Sequence, residues 1–395
     1  MSASVYSNML LLEGPSLELR RHAYIAVEDQ SILEVGDHWR GQSVDLEGAI
    51  VFPAFVDTHT HVADSGIKDA VIGLPTAEAV SPPHGLKYRF LQEMKSDDLQ
   101  RILVRAVQEL LANGICAFAD FREGCAEGAE LLRTAVSGAP IRAVILGDAL
   151  VPPSDSEYMT QIRDAASASD GIGIGDVARY TDEQLSEITA ILHETASILA
   201  VHTAETKEAQ SACRDTWGSS EVARILAHGP DLLVHLTNPL AGDVELLRQA
   251  QVPVVCCPRT NAILADGLPP VADLIASGVP LALGTDNMML SSPDMFREMD
   301  WFSRLARGQS GRSDVLSSRD VLSMATLGGA RAVGLDDELG SIEAGKAACF
   351  VALDAGSANL AGTRDIHAAI VHRAGPQDIS LVVSWGEEVS RRSTR

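Results

Sequence analysis

The chain has 395 residues, 46% of them hydrophobic but only 4% aromatic, and a formal net charge of -23. Such a length accommodates one large domain or two smaller ones around an aliphatic core. The acidic balance argues against a general nucleic-acid or anionic-membrane binder, because both partners repel it, and no uninterrupted apolar stretch is long enough to span a bilayer.

Lysine occurs only as Lys68, Lys87, Lys95, Lys207 and Lys346, a bias that a salty cytoplasm or a GC-rich genome would each produce. The six cysteines are scattered, with Cys256 and Cys257 adjacent and no Cys-x-x-Cys pair. Reduced, buried thiols are therefore expected rather than a disulfide framework. Residues 1–12 lack a basic segment followed by a long apolar run, so no signal peptide and a cytoplasmic location are expected.

In chain order, Val5–Leu12, Ala23–Val27 and Ile32–Val35 read as strands separated by turn signals such as Glu13-Gly14-Pro15. From Ile50 apolar strand-like runs alternate with amphipathic helical ones. The strands are Ile50–Val56, Ile115–Phe121, Ile141–Leu146, Gly171–Ile174, Ile198–His202, Leu232–Leu236, Pro253–Cys257 and Leu281–Gly284. The helices between them include Asp97–Ala112, Gly128–Val136, Thr181–Thr195, Ser219–Ala227, Asp243–Gln249 and Val271–Ala276. Thr181 ahead of Asp182-Glu183-Gln184 has the pattern of an N-cap. After about Leu335 strand-like text returns in Cys349–Leu353, Ile366–His372 and Ile379–Trp385. Residues 63–96 are the longest stretch without clear periodicity, and a loop of that length is usually functional.

Eight alternations predict an α/β fold, a (β/α)8 TIM barrel over residues 53–336. A small β-sandwich domain is expected from both termini, residues 1–52 and 337–395, which would pair strand edges otherwise left open. A doubly wound open sheet also fits eight strands. The barrel is preferred because polar residues cluster just after the C-terminal ends of several strands.

Those polar residues carry the chemistry. In Asp57-Thr58-His59-Thr60-His61, strand alternation puts His59 and His61 on the same side. Taken alone, a His-x-His at a strand end is a weak metal signal. His202 ends another apolar strand, with Glu205 following in the loop where a carboxyl group can donate a proton. His235 lies on a third strand, and Asp286 follows Gly284-Thr285 at the end of a fourth. Each has a bland reading by itself, a core histidine or a helix cap. Jointly they place imidazoles and a carboxylate at the barrel face where such enzymes keep catalytic groups. Three histidines and one carboxylate with an open position suit one divalent ion, Zn2+ ahead of Fe2+.

Together, Pro53-Ala54-Phe55-Val56-Asp57-Thr58-His59-Thr60-His61, the His202-Thr203-Ala204-Glu205 step, His235 and Gly284-Thr285-Asp286 resemble the amidohydrolase superfamily. The closest likeness is to its branch of cytosine deaminase, guanine deaminase, S-adenosylhomocysteine deaminase and triazine chlorohydrolases. Supporting text is Cys257-Pro258-Arg259-Thr260-Asn261 and the run from Ala325 to Lys346. Two departures stand out: Ala54 replaces the usual Gly, and Arg259-Thr260 precedes Asn261 where small residues are usual, which is expected to alter the substrate pocket.

The resemblance implies metal ligands His59, His61, His202 and Asp286, with Glu205, His235 and Asp286 catalytic. Binuclear members carry a bridging lysine at the end of barrel strand four; Gly171–Arg179 holds none, so one ion is implied. The implied reaction is hydrolytic deamination of a cyclic amidine such as a nucleobase, nucleoside or pterin-like ring. Asp286 would accept the proton of the activated water, Glu205 would protonate the ring nitrogen and His235 would hydrogen-bond the attacking oxygen. Asp57 is read as orienting a ligand imidazole or as a turn cap. Arg122, His84, Lys87 and Asn287 are candidate substrate contacts, with Glu123 and Asp294 as further ones and Pro82–Lys87 as a lid. Amide or carbon–chlorine hydrolysis on a ring, or a non-catalytic barrel scaffold, are the alternatives. Expected partners are a small ring-shaped substrate and a second copy in a homodimer, not nucleic acid or membrane.

Overall fold

The computed structural model describes residues 4–81, 84–195 and 197–391. Residues 1–3 and 392–395 of the expected terminal segments, and Pro82 and Pro83 of the expected lid, lie outside the described residues.

Apolar runs buried on both faces form one curled parallel sheet, as parallel strands must when helices cover them. Its strands are β5 (Phe55–His61), β6 (Ile115–Arg122), β7 (Arg142–Gly147), β8 (Gly171–Ile174), β9 (Ile198–Thr203), β10 (Leu232–His235), β11 (Val254–Cys256) and β12 (Leu281–Leu283), each beside the next in sequence. A two-residue piece, β13 (Asp286–Asn287), pairs with β5, Asp286 opposite Thr60 and Asn287 opposite His61. Only Gly284 and Thr285 separate β12 from β13, so the two pieces share the eighth position. They close the ring as a (β/α)8 barrel. Helices wrap it by their apolar faces: Ser96–Ala112 buries Leu103, Ala106, Val107, Leu110 and Leu111, a three- and four-residue spacing. Thr181 caps the helix Asp182–Thr195, with reciprocal bonds to Gln184.

The two chain ends build the second sheet, in the order β16 (Glu387–Arg391), β15 (Ile379–Ser384), β14 (Phe350–Leu353), β4 (Val44–Pro53), β1 (Ser4–Glu13), β2 (Glu18–Glu28) and β3 (Ser31–Asp37). β4 and β14, from opposite ends of the chain, are antiparallel neighbours. The sheet folds across itself, because Ile32 N donates to Lys346 O and Ala348 N to Gln30 O. One face thereby encloses its own core of Tyr6, Met9, Ile25, Val51, Phe350 and Val383. The sheet docks below the barrel through Trp385, whose Nε1 donates to Cys116 O at 3.2 Å.

Three expectations change. The run Ile50–Val56 is not one strand: the chain leaves the second sheet after Pro53 and enters the barrel at Phe55, with Ala54 between. Ile366–His372 is a helix, not a strand. Its β-branched text reads as strand, but Ile366, Ala369 and Ile370 share one buried helical face, and Asp365 Oδ1 accepts from Ala368 N at 3.0 Å as an N-cap. Residues 63–96 are not structureless: they hold a 3-10 turn at Val62–Ile67 and helices Thr76–Ala79 and Leu86–Glu93, too short to give a periodic signal.

Candidate active site

Alternation on β5 aims His59 and His61 inward, and both are buried. His202 comes from β9 and His235 from β10. Asp286 sits at the kink of the eighth position, with a φ of 63°. Ala204, His235 and Leu236 also have positive φ, an arrangement costing about 1–2 kcal/mol per residue. Left-handed residues thus gather where the strands end, and the fold holds them there by specific bonds.

His59 Nε2 is 3.2 Å and His61 Nε2 3.6 Å from Asp286 Oδ1, and His202 Nε2 is 3.4 Å from His61 Nε2. His202 Nδ1 lies 3.2 Å from Ile174 O, so Nδ1 donates and Nε2 keeps its lone pair. Burial lowers the proton affinity of His59, and pushes His202 well below the ordinary imidazole range, so these rings are neutral. Burial alone would raise the Asp286 carboxyl, but His59, His235 and His61 hold it well below the usual carboxylate range. Phe121 backs the group, its ring 4.6 Å from that of His59 and 4.4 Å from that of His202. Phe121 has room because Gly173 faces it; a Cβ there would lie 2.4 Å from the ring.

The turn before Asp286 is built around His59. A Cβ on Gly284 would lie 2.7 Å from His59 Cβ and 2.9 Å from its backbone nitrogen. Asp57 accepts from Thr285 N at 2.9 Å and Thr285 Oγ1 at 2.6 Å. Asp57 therefore grips the Asp286 turn rather than an imidazole ring.

His235 Nδ1 lies 3.1 Å from Asn261 Nδ2, an amide donor, so Nδ1 accepts and Nε2 carries the hydrogen. That Nε2 faces Glu205 Oε1 at 3.6 Å. Burial lowers His235 to about 3, so the ring is a neutral donor. Glu205 is clamped by its backbone: Ala204 N donates to Glu221 Oε2 at 2.9 Å, and Thr237 Oγ1 and Asn238 Nδ2 donate to Glu205 O. Burial raises the Glu205 carboxyl well above its ordinary value, and Asp286, Asp266 and Glu221 push it the same way.

The donor set fits a cation. Among the described residues, His59, His61 and His202, and likewise His59, His235 and Asp286, offer ligand atoms all within 4.8 Å of one another. Both His59 ring nitrogens are buried without a hydrogen-bond partner, an unfavourable state that metal coordination would relieve at the one nitrogen bearing the lone pair. The hydrogen on His235 Nε2 turns a donor rather than a lone pair toward the cluster.

The expected substrate contacts fall differently. Lys87 and Arg122 are buried, not free: Lys87 Nζ meets Glu123 Oε1 at 2.5 Å, and Arg122 engages Asp120 at 3.3 Å and Glu123. Asn287 Nδ2 donates to Asp64 Oδ2 at 2.8 Å. Asp294 is an N-cap, accepting from Arg297 N. Arg259 does not reshape the pocket through its guanidinium, which turns to Glu298 Oε2 at 3.3 Å and to the carbonyls of Ser292 and Asp294. His84 is exposed, and no bond to the cluster is found for it among the described residues. Sequence reasoning missed the roles of Glu221, Asn261 and Asn238. Asn261 stood in a quoted motif, but nothing local showed which side chain it would meet.

The sequence profile of the amidohydrolase family matches residues 50–389. The chain belongs to the amidohydrolase family. It is 35% identical over 397 residues, 99% of this chain and 100% of the relative, to a Methanothermobacter thermautotrophicus protein with a provisional aminohydrolase name. It is 27% identical over 408 residues, 98% of this chain and 92% of the relative, to the 5-methylthioadenosine/S-adenosylhomocysteine deaminase of Pelotomaculum thermopropionicum. Among solved structures, a zinc-bound adenosine deaminase from Xanthomonas campestris superposes with a TM-score of 0.84 at 21% identity, covering 98% of this chain and 92% of that one. A zinc complex of atrazine chlorohydrolase from Arthrobacter aurescens TC1 gives 0.83 at 17% identity, with 98% and 95% covered. These two likenesses establish the fold. The amidohydrolase assignment makes this chain a metal-dependent hydrolase acting on carbon–nitrogen bonds.

Proposed function

We propose that this amidohydrolase removes an amino group hydrolytically from a ring amidine of the nucleobase, nucleoside or pterin type. One divalent ion, zinc ahead of iron(II), would be held by His59, His61, His202 and Asp286. When bound, such an ion supplies a water ionised near neutral pH. The observation that carries the reading is geometric: Glu205 Oε1 faces His235 Nε2 at 3.6 Å, and His235 shares with His59 and Asp286 a group of ligand atoms within 4.8 Å of one another.

Asp286 takes the proton of the attacking water, since its carboxylate is ionised and faces His59 and His61. Glu205 holds its proton on a carboxyl and gives it to the ring nitrogen adjacent to the reacting carbon, which makes that carbon more electrophilic. His235 Nε2–H donates to the attacking oxygen and so directs it at the carbon that becomes tetrahedral. The proton held on Asp286 passes to the amino group, which leaves as ammonia as the carbon–nitrogen bond breaks, and the hydroxyl proton returns to Glu205 as the carbonyl forms. The nucleoside class draws support from the deaminase names of relatives such as the Pelotomaculum thermopropionicum protein.

An ammonia-release screen over pyrimidines, purines, pterins and nucleosides tests the reading, with metal content measured in parallel. Turnover with ammonia release supports it. Turnover only of amides or of ring chlorides, with no ammonia from any amino-substituted ring, overturns the deaminase assignment.

A further inference from the structure

We infer that Glu123 is a positioning residue for His61 and that, through Lys87, it ties the helix Leu86–Glu93 to the metal-ligand set. This rests on the reading of His61 as a ligand. His61 turns Nε2 toward the cluster, 3.4 Å from His202 Nε2 and 3.6 Å from Asp286 Oδ1. Its other nitrogen, Nδ1, lies 3.2 Å from Glu123 Oε1. At that distance the carboxylate's charge favours a hydrogen on Nδ1 over a lone pair, which leaves the Nε2 lone pair for a cation. Outer carboxylates of this kind fix both tautomer and ring orientation of a ligand histidine.

Glu123 is itself held. Its Oε1 also meets Lys87 Nζ at 2.5 Å, and its other oxygen meets Arg122. Arg122 continues to Asp120 at 3.3 Å, and Asp120 Oδ1 accepts from Val62 N at 2.7 Å and Thr60 Oγ1 at 3.1 Å. Thr60 and Val62 flank His61 in the chain, so one network grips its ring and its backbone. Lys87, Arg122, Glu123 and Asp120 are all buried, two cations against two carboxylates. Buried ion pairs are poor stabilisers compared with apolar replacements of the same size. Their presence here is accounted for by what they orient. Lys87 belongs to the short helix Leu86–Glu93, part of the long connection after β5. Lys87 and His61 meet on the same carboxylate oxygen. Docking of that helix and binding at His61 are therefore coupled, and by linkage each strengthens the other.

The test is zinc affinity, measured by competition with a chromophoric chelator, for wild type, E123Q, the K87M/E123L pair and H61A. Circular dichroism checks that each is folded. The pair is included because E123Q leaves the Lys87 charge without its partner. Both E123Q and the pair are expected to lose zinc affinity ten- to hundred-fold. In the wild type, zinc is expected to slow amide exchange across residues 86–93, an effect that E123Q abolishes. Folded E123Q and K87M/E123L proteins that hold zinc within twofold of wild type, while H61A loses it, overturn the positioning role alone. If H61A also keeps its zinc, the reading of His61 as a ligand falls instead. Unchanged exchange across 86–93 in the wild type on zinc addition, a measurement needing no variant, overturns the coupling.

Discussion

In the proposed reaction Glu205 donates a proton and His59 holds the metal, and substitution separates the two roles. H59A removes a nitrogen whose Nε2 stands 3.2 Å from Asp286 Oδ1; the protein should lose its metal and, with it, turnover. Metal analysis of the purified protein checks this, and a variant with full metal content would refute the ligand assignment. E205Q keeps the shape but cannot supply the proton. Its kcat should fall about 10²–10⁴-fold with metal content unchanged. The sign of the pH dependence follows from the direction of the shift. As the proposed acid, Glu205 acts in its protonated form, and burial raises its proton affinity, so the wild-type rate should fall as pH rises through that raised value. A pH–rate profile in which E205Q retains the same alkaline fall would assign the limb to another group.

Short elements decide where those residues stand. The eighth barrel position is split into β12 and β13 because Gly284-Thr285 turns against His59, with no room for a side chain. G284A forces His59 or the turn to move. A loss of about 1–3 kcal/mol is expected from such overpacking, together with weaker metal binding, measured by denaturant melts and chelator competition. A G284A protein as stable as the parent, with its metal intact, would show that the turn adapts freely. At the other end of the chain, the helix Ile366–His372 depends on its Asp365 cap. D365A should cost about 1 kcal/mol in the same melts, without effect on metal content. A strand at this position would be indifferent to that change.

The whole molecule stores charge, outside and inside. A net charge of -23 repels itself in the folded state, and salt screens that repulsion. The melting temperature should therefore rise between about 0.05 and 1 M potassium chloride, where the Debye length falls from over ten to about three ångströms. Inside, burial raises Asp57, Asp148 and Glu221 to about 7 and Glu298 to about 8. Each folded value lies above its unfolded one near 4. The stability these groups contribute is thus fully present below about pH 4 and is lost as pH rises through about 7–8. Melts of metal-free protein should show stability falling from pH 5 to pH 8, and E298Q should flatten that slope. An unchanged slope in E298Q would mean that Glu298 does not titrate in this range.

The sequence by itself determined the barrel, the split second sheet and the identity of the residues at the strand ends. The strand–helix alternation and the side to which strand residues point are written in local periodicity, which needs no distant partners; the choice of a barrel over an open sheet came from the polar residues at the strand ends. It could not show that Ile366–His372 is helical, since a run of β-branched residues looks alike in both forms until a cap and a buried face are chosen. Nor could it show that Arg122 and Lys87 face Glu123, that Asn287 binds Asp64, or that Asn261 sets the tautomer of His235. Partners such as these are separated by many residues or depend on which way a loop turns. Only the closed barrel brings them within hydrogen-bonding distance, and that distance, not residue type, decides whether a charge meets a substrate or a neighbouring side chain.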